Sequence, residues 1–245
     1  MTARLGLALV TGASSGIGRA TSIALAAAGY EVLALARSES ALAELATTPG
    51  IRPVVQDVTD LEKMTALLEP LELDMLVNNA GIMPAQVTLA EMTQADIDRA
   101  FAVNVAAAIT VTRLALPGMM ARRKGHIFFM GSTAGHAPFP KMAVYGATKA
   151  AIASLAASLR CEVAGSGVRI TELVAGRVQT ELYRDVLDPR TRSEMYAAFD
   201  AVQPEDVARM LVSVLEMPPA VNVSRFDILP TAQYVGGGGF ARKES

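Results

Sequence analysis

Tyr145 and Lys149 stand four residues apart in the run Tyr145-Gly146-Ala147-Thr148-Lys149. On an α-helix that spacing stacks the two side chains one turn apart on the same side. Residues 150–163 are alanine-rich and carry Ile152, Leu155 and Leu159 at helical intervals, so the spacing predicts a helix. A free phenol ionises near ~10 and exchanges protons poorly at neutral pH. A cation within a few ångströms lowers an acidic group's pKa by roughly one to three units, and the positive end of a helix acts in the same sense. The pair therefore reads as an acid–base centre in which Tyr145 carries the proton and Lys149 lowers its pKa. On an ordinary surface helix the same two residues would do nothing, so the surrounding elements decide.

Those elements alternate. Residues 5–11 form a short apolar run, predicting a buried strand, and lead directly into Gly12-Ala13-Ser14-Ser15-Gly16-Ile17-Gly18 and a helical stretch over 19–28. Strand, glycine-rich turn and helix N-terminus together make a cradle for a pyrophosphate. A second strand, 31–36, ends at Ala36 and Arg37, the region that meets the adenosine ribose in a dinucleotide fold. An acid there would suit NAD; Arg37, with Ser38 beside it, suits the 2′-phosphate of NADP.

Further strands are expected at 51–56, 73–77, 125–130, 168–174 and 226–229. Helices are expected at 38–48, 61–68 (capped by Asp60), 93–102, 103–122, 180–200 and 204–216. This rhythm predicts an α/β Rossmann fold: one domain over 1–235 with a doubly wound, seven-stranded parallel sheet and helices on both faces. A substrate lid is expected over about 177–202, and a flexible tail over 236–245. Gly12, Asn78, Ser132 and the Tyr145 helix would all open on the carboxyl edge of the sheet, where such folds bind ligands.

Composition narrows the function. Of 245 residues, 51% are hydrophobic and none is tryptophan, which suits a core of small aliphatic side chains. A net charge of −2 leaves no electrostatic footprint for nucleic acid or an acidic membrane. Cys161 is the only cysteine, so no intrachain disulfide can form; with no leader apparent, a cytoplasmic location is expected. Within a helical stretch, Cys161 reads as an inert packing residue. The two histidines, His126 and His136, are too few and too separated for a zinc site, so no metal is expected. Residues 100–121 are long enough to span a bilayer, but they contain Asn104, Arg113 and Pro117-Gly118. A helix buried against a partner is the expectation, and with it a homotetramer or homodimer.

Taken together, Thr11-Gly12-Ala13-Ser14-Ser15-Gly16-Ile17-Gly18, Asp57-Val58, Asn78-Asn79-Ala80-Gly81, Asn104, Gly131-Ser132 and Tyr145 to Lys149 resemble the short-chain dehydrogenase/reductase superfamily, in its single-domain branch. The resemblance implies that Tyr145 exchanges a proton with the substrate oxygen and Ser132 holds that oxygen. Lys149 would bond the nicotinamide ribose, and Asn104 would position a water in the relay. Asp57 and Val58 would bracket the adenine. Asn78, Asn79, Ala80 and Gly81 would support the cofactor from the fourth strand, with Gly176, Val178 and Thr180 completing its contacts. The family has Pro-Gly where this chain has Ala175-Gly176, which should loosen that turn.

The run from Val223 to Gln233 resembles the ending of the clavulanate-dehydrogenase-like and 3-hydroxy-acid dehydrogenase group, NADP enzymes of small polar alcohols and aldehydes. A β-ketoacyl-type reductase and a catalytically silent NADP-binding sensor are the alternatives. The substrate wall is expected from His136, Met142, the region 83–86 and, after Gly176, Arg177, Tyr183 and Arg184. Two arginines there raise the prospect of an anionic small-molecule substrate.

Overall fold

The computed structural model describes residues 5–197 and 199–234. Seven strands lie at Gly6–Thr11 (β1), Tyr30–Ala36 (β2), Ile51–Val55 (β3), Met75–Asn78 (β4), Gly125–Ser132 (β5), Val168–Ala175 (β6) and Arg225–Ile228 (β7). Eight α-helices lie among the described residues, at Gly16–Ala27 (α1), Glu39–Leu45 (α2), Leu61–Leu68 (α3), Gln94–Phe101 (α4), Ala107–Ala121 (α5), Ala143–Glu162 (α6), Pro189–Ala197 (α7) and Pro204–Leu215 (α8). The strands form one sheet in the order β3-β2-β1-β4-β5-β6-β7, and every pairing is parallel.

Alternation along the strands sends successive side chains to opposite faces. Val10, Ala34, Val77, Phe128 and Leu173 meet Leu25 of α1, Leu42 and Leu45 of α2 and Leu211 of α8 on one face. Leu9, Leu35, Leu76, Phe129 and Ile170 meet Met64 of α3, Val111 of α5 and Ile152 and Leu159 of α6 on the other. Both faces are covered, which is why these strands read as continuous apolar runs. The strand order reverses between β1 and β4, so the crevice of this doubly wound fold opens beyond their carboxyl ends.

Two expectations need correction here. The two helices foreseen at 93–102 and 103–122 are one continuous rod, because a π-helical turn, Ala102–Ala106, joins α4 to α5. The wider turn rotates Asn104 inward, where it is 2% exposed. By length and composition this rod could cross a membrane. In the fold, Ala107, Val111, Ala115 and Met119 seat it on the sheet, while Phe101, Ile109 and Met120 are exposed. Cys161, expected to pack, is exposed: it lies two residues beyond buried Leu159, about 200° around the helix. The turn after β6, where the missing proline is expected to loosen the backbone, is held by two hydrogen bonds. Gly176 N–H donates to the Ile228 carbonyl at 2.8 Å, and Arg177 N–H donates to Gln233 Oε1 at 2.8 Å.

The excursion over 177–202 is closed at its base. Val178 bridges Val202, and Gln179 N–H donates to the Val202 carbonyl at 2.9 Å. The expected tail, 236–245, lies outside the described residues.

Candidate active site

The glycine-rich turn after β1 takes its shape from residues without side chains. Gly12 and Gly16 sit at φ +68° and +51°, and a Cβ on Gly18 would fall 2.3 Å from the Gly12 carbonyl oxygen. Thr11 and Asn79 staple this turn to the end of β4. Thr11 Oγ1 donates to the Val77 carbonyl and accepts from the N–H groups of Asn79 and Ala80, both at 3.0 Å. Asn79 Nδ2 donates to the carbonyls of Thr11 (2.9 Å) and Gly12 (3.2 Å), so its amide braces the turn. Asn78 Nδ2 donates to Thr112 Oγ1 at 2.9 Å on α5, which ties β4 to the helix behind it.

Ser14 is half-buried, Ser15 is exposed, and Ile17 packs on the core. Thr180 reaches the turn from the excursion: its Cγ2 is 3.1 Å from where a Gly16 Cβ would lie. A cleft of about 540 Å³ opens beside this contact, lined by Gly16, Thr180, Glu181, Arg192, Tyr196 and Gln203.

At the end of β2, Ala36 is buried and offers no acid, while the Arg37 side chain is 65% exposed. Its guanidinium lies 3.9 Å from Asp57, whose carboxylate accepts from Thr59 N–H (2.9 Å) and Thr59 Oγ1 (2.7 Å). The Thr59 bonds, and then Arg37, hold the Asp57 carboxyl below its ordinary range. Val58 is buried beneath them. Glycines that admit a close approach, a helix N-terminus with no acid in its first turn, and an exposed guanidinium one strand away fit a phosphate-bearing dinucleotide.

Further along the same edge, β5 delivers Ser132, which caps a short 3₁₀ turn by accepting from Ala134 N–H at 3.2 Å. Tyr145 lies in the first turn of α6, 7% exposed, with Ser132 close enough to its hydroxyl to act on its pKa. Lys149 follows one turn later, 5% exposed; its Nζ donates to the Met130 carbonyl at 2.7 Å and lies 5.8 Å from the Tyr145 ring centroid. Asn104 Oδ1 accepts from Ile82 N–H (2.8 Å), and its Nδ2 donates to the Ile82 carbonyl (3.0 Å) and to Thr148 Oγ1 (3.2 Å). Thr148 Oγ1 in turn donates to the Tyr145 carbonyl at 2.7 Å. Gly81 lies between these groups: a Cβ there would meet Asn104 Oδ1 at 3.4 Å and Lys149 Nζ at 3.8 Å.

The electrostatics correct the expectation for Tyr145. Burial, then the Tyr183 phenol, push its pKa above the ordinary value; Ser132 and Arg177 oppose this without overcoming it. Desolvation outweighs the charges because Tyr145 sits in an apolar cluster with Met83 and Tyr183, against which Met142, Leu182 and Met195 pack. Lys149 is itself pushed down to about 8 by burial, with Glu172 acting in the opposite sense.

Of the residues expected to face substrate, the structure gathers Ser132, Met142, Arg177 and Tyr183 around Tyr145. Arg177 stacks over the Tyr183 ring at 5.0 Å. Two others turn elsewhere. Arg184 is exposed and reaches Asp185 at 3.4 Å. His136 points to Glu172 of β6, with Nε2 at 2.8 Å, rather than to the cluster. Val178 is buried in the core behind the turn, and Gly176 is held against β7. Sequence reasoning assigned no role to Thr148 or Glu172. The first was visible only as part of the Tyr145–Lys149 run, the second as a lone acid in an apolar strand.

The family model described as short chain dehydrogenase matches residues 6–191. An uncharacterized short-chain type dehydrogenase/reductase of Sinorhizobium fredii is 46% identical over 96% of this chain and 95% of its own length. An NADP-dependent 3-hydroxy acid dehydrogenase of Escherichia coli is 32% identical over 94% and 97%. Among solved structures, the closed form of serine dehydrogenase complexed with NADP+ superposes with a TM-score of 0.91 at 30% identity, covering 97% of this chain and all of that one.

Proposed function

This chain belongs to the short-chain dehydrogenase family, and from that premise we propose that it is an NADP(H)-dependent oxidoreductase interconverting a carbonyl and an alcohol on a small, acid-bearing substrate. The observation that carries the proposal is the gathering of Ser132 at the end of β5 with Tyr145 and Lys149 at the start of α6, on the same sheet edge as the glycine turn. Bound NADP(H) would supply or accept the hydride. Gly12 to Gly18 and the α1 N-terminus would hold its diphosphate, Arg37 and Ser38 its 2′-phosphate, Asp57 and Val58 its adenine, and Lys149 its nicotinamide ribose. The names of the Escherichia coli relative and the serine dehydrogenase complex support the choice of NADP.

Tyr145 and Ser132 act at the substrate oxygen. As hydride reaches the carbonyl carbon, negative charge grows on that oxygen, and two fixed donors stabilise it where it appears. A phenol carries its proton at neutral pH, so Tyr145 is placed to donate it to the more basic forming alkoxide. Asn104 and Thr148 fix the first turn of α6, and so the position of the Tyr145 ring. Residues 177–202 would cover the substrate, with Arg177 near enough to Tyr145 for its charge to be felt there. A carboxylate on the substrate would suit that guanidinium; a 3-hydroxy acid and serine both carry one. The exposed Phe101, Ile109 and Met120 on the α4–α5 rod support assembly into dimers or tetramers.

NADPH oxidation measured against aldehydes and ketones with and without a carboxylate tests this. Tyr145→Phe should cut kcat by about 10²–10⁴-fold while NADPH still binds; equal rates would refute the relay. Arg177→Ala should raise KM for acidic substrates alone, and an unchanged KM would remove the acid from the substrate.

A further inference from the structure

A buried acid that the proton relay does not use lies directly behind it. Glu172, on β6, is 4% exposed. Its carboxylate rests on Gly131, where a Cβ would come within 2.5 Å of Oε1 and force it to shift. The residue before Gly131 is Met130, whose carbonyl accepts from Lys149 Nζ. The same Oε1 lies 2.8 Å from His136 Nε2. On its other side, His136 Nδ1 is 3.4 Å from Arg225 Nη1, and Arg225 is gripped by both oxygens of Asp227 at 2.8 and 3.1 Å. A guanidinium only donates, so Nδ1 must accept and the Nε2–H is left to donate to Glu172. Asp227, Arg225, His136 and Glu172 thus form one chain from β7 to the back of the active centre. Lys149, from α6, also feels the charge of this acid.

We propose that Glu172 is a positioning residue for the Tyr145 centre: through His136 it anchors the segment carrying Ser132, and its fixed negative charge supports the ammonium of Lys149. Burying a carboxylate is costly unless it is paired and hydrogen-bonded; here the pairing lies at one end of the catalytic segment. The backbone closes the link, because His136 N–H and Ala137 N–H both donate to the Thr133 carbonyl, one residue from Ser132. The role rests on the function proposed above, in which Lys149 holds the nicotinamide ribose beside Tyr145.

The test compares the native protein with Glu172→Gln and His136→Gln, and reads two quantities against pH: kcat/KM, and NADPH affinity by fluorescence titration without substrate. Glu172→Gln removes the charge that favours the Lys149 ammonium. The alkaline limbs of both profiles should therefore move down by about one pH unit or more. His136→Gln leaves that charge in place, so its limbs should stay at the native pH while kcat falls several-fold from the loosened segment. Glu172→Gln limbs that coincide with the native ones would overturn the electrostatic role. A native kcat in His136→Gln would overturn the anchor, and that variant decides the anchor even if Glu172→Gln does not fold. Tyr145→Phe run alongside separates the two levels: if it is inactive and Glu172→Gln is unshifted, only the role given to Glu172 fails, whereas an active Tyr145→Phe removes the relay and the role together.

Discussion

Replacing Asn104 with alanine should destabilise the fold as well as slow the enzyme, and the size of the loss follows from its three hydrogen bonds. The Asn104 amide is the partner of both the N–H and the carbonyl of half-buried Ile82, and it donates to buried Thr148. Alanine leaves the two Ile82 groups short of a partner at about 1 kcal/mol each, with about 0.5 kcal/mol more at Thr148, which keeps its own bond to the Tyr145 carbonyl. The sum is about 2–3 kcal/mol, and in a domain of this size each kcal/mol lowers Tm by about 2–4 °C, giving a drop of roughly 4–12 °C. Thermal and urea unfolding of the ligand-free Asn104→Ala protein measure it directly. A Tm within about 1 °C of the native value would refute the claim that this amide holds the 82 loop, the π turn and α6 together.

Three further outcomes are expected. Lys149 has a folded-state pKa of about 8, below its ordinary 10.5, so the folded protein carries fewer protons than the unfolded chain between those values and stability rises with pH across that window. Lys149→Met, which removes the penalty of the buried charge, should show its largest Tm gain relative to native below pH 8, shrinking toward pH 10; a pH-independent difference would contradict this. Ala36→Asp combined with Arg37→Ala should shift the ratio of kcat/KM values from NADPH toward NADH by about tenfold or more, as expected from losing a charge-assisted phosphate bond; an unchanged ratio would clear Arg37 of any part in cofactor choice. Gly18→Ala puts a methyl 2.3 Å from the Gly12 carbonyl and should abolish NADPH binding, checked by fluorescence titration, even in protein that remains folded.

The fold was legible because its signals are local. Apolar runs of strand length, the glycine turn and the Asp60 cap, which accepts from Lys63 N–H at 3.1 Å, all act within a few residues. The four-residue spacing of Tyr145 and Lys149 brought them to the same side of α6 for the same reason. What the sequence hid depends on contacts made across it. The π turn at Asn104 answers to Ile82, 22 residues earlier. The raised pKa of Tyr145 comes from burial by side chains as distant as Met83 and Met195, so neighbours in sequence pointed to the wrong sign. Arg177 and Arg184 look equivalent in the chain, yet the 3₁₀ turn Glu181–Tyr183 buries Tyr183 under the first and turns the second outward. Glu172 could have been noticed, since an acid amid Ile170, Leu173 and Val174 on a parallel strand has no water to face and must find a partner inside.

The apolar cluster of Tyr183, Leu182 and Met195 with Tyr145 ties acidity to shape. Dryness is the largest influence on that phenol, and part of the dryness is supplied by a stretch closed at its base where Val178 meets Val202. Swinging the stretch aside would admit water to the ring and weaken its hold on the proton. In this molecule a movement of loop residues is therefore also a change in the strength of an acid.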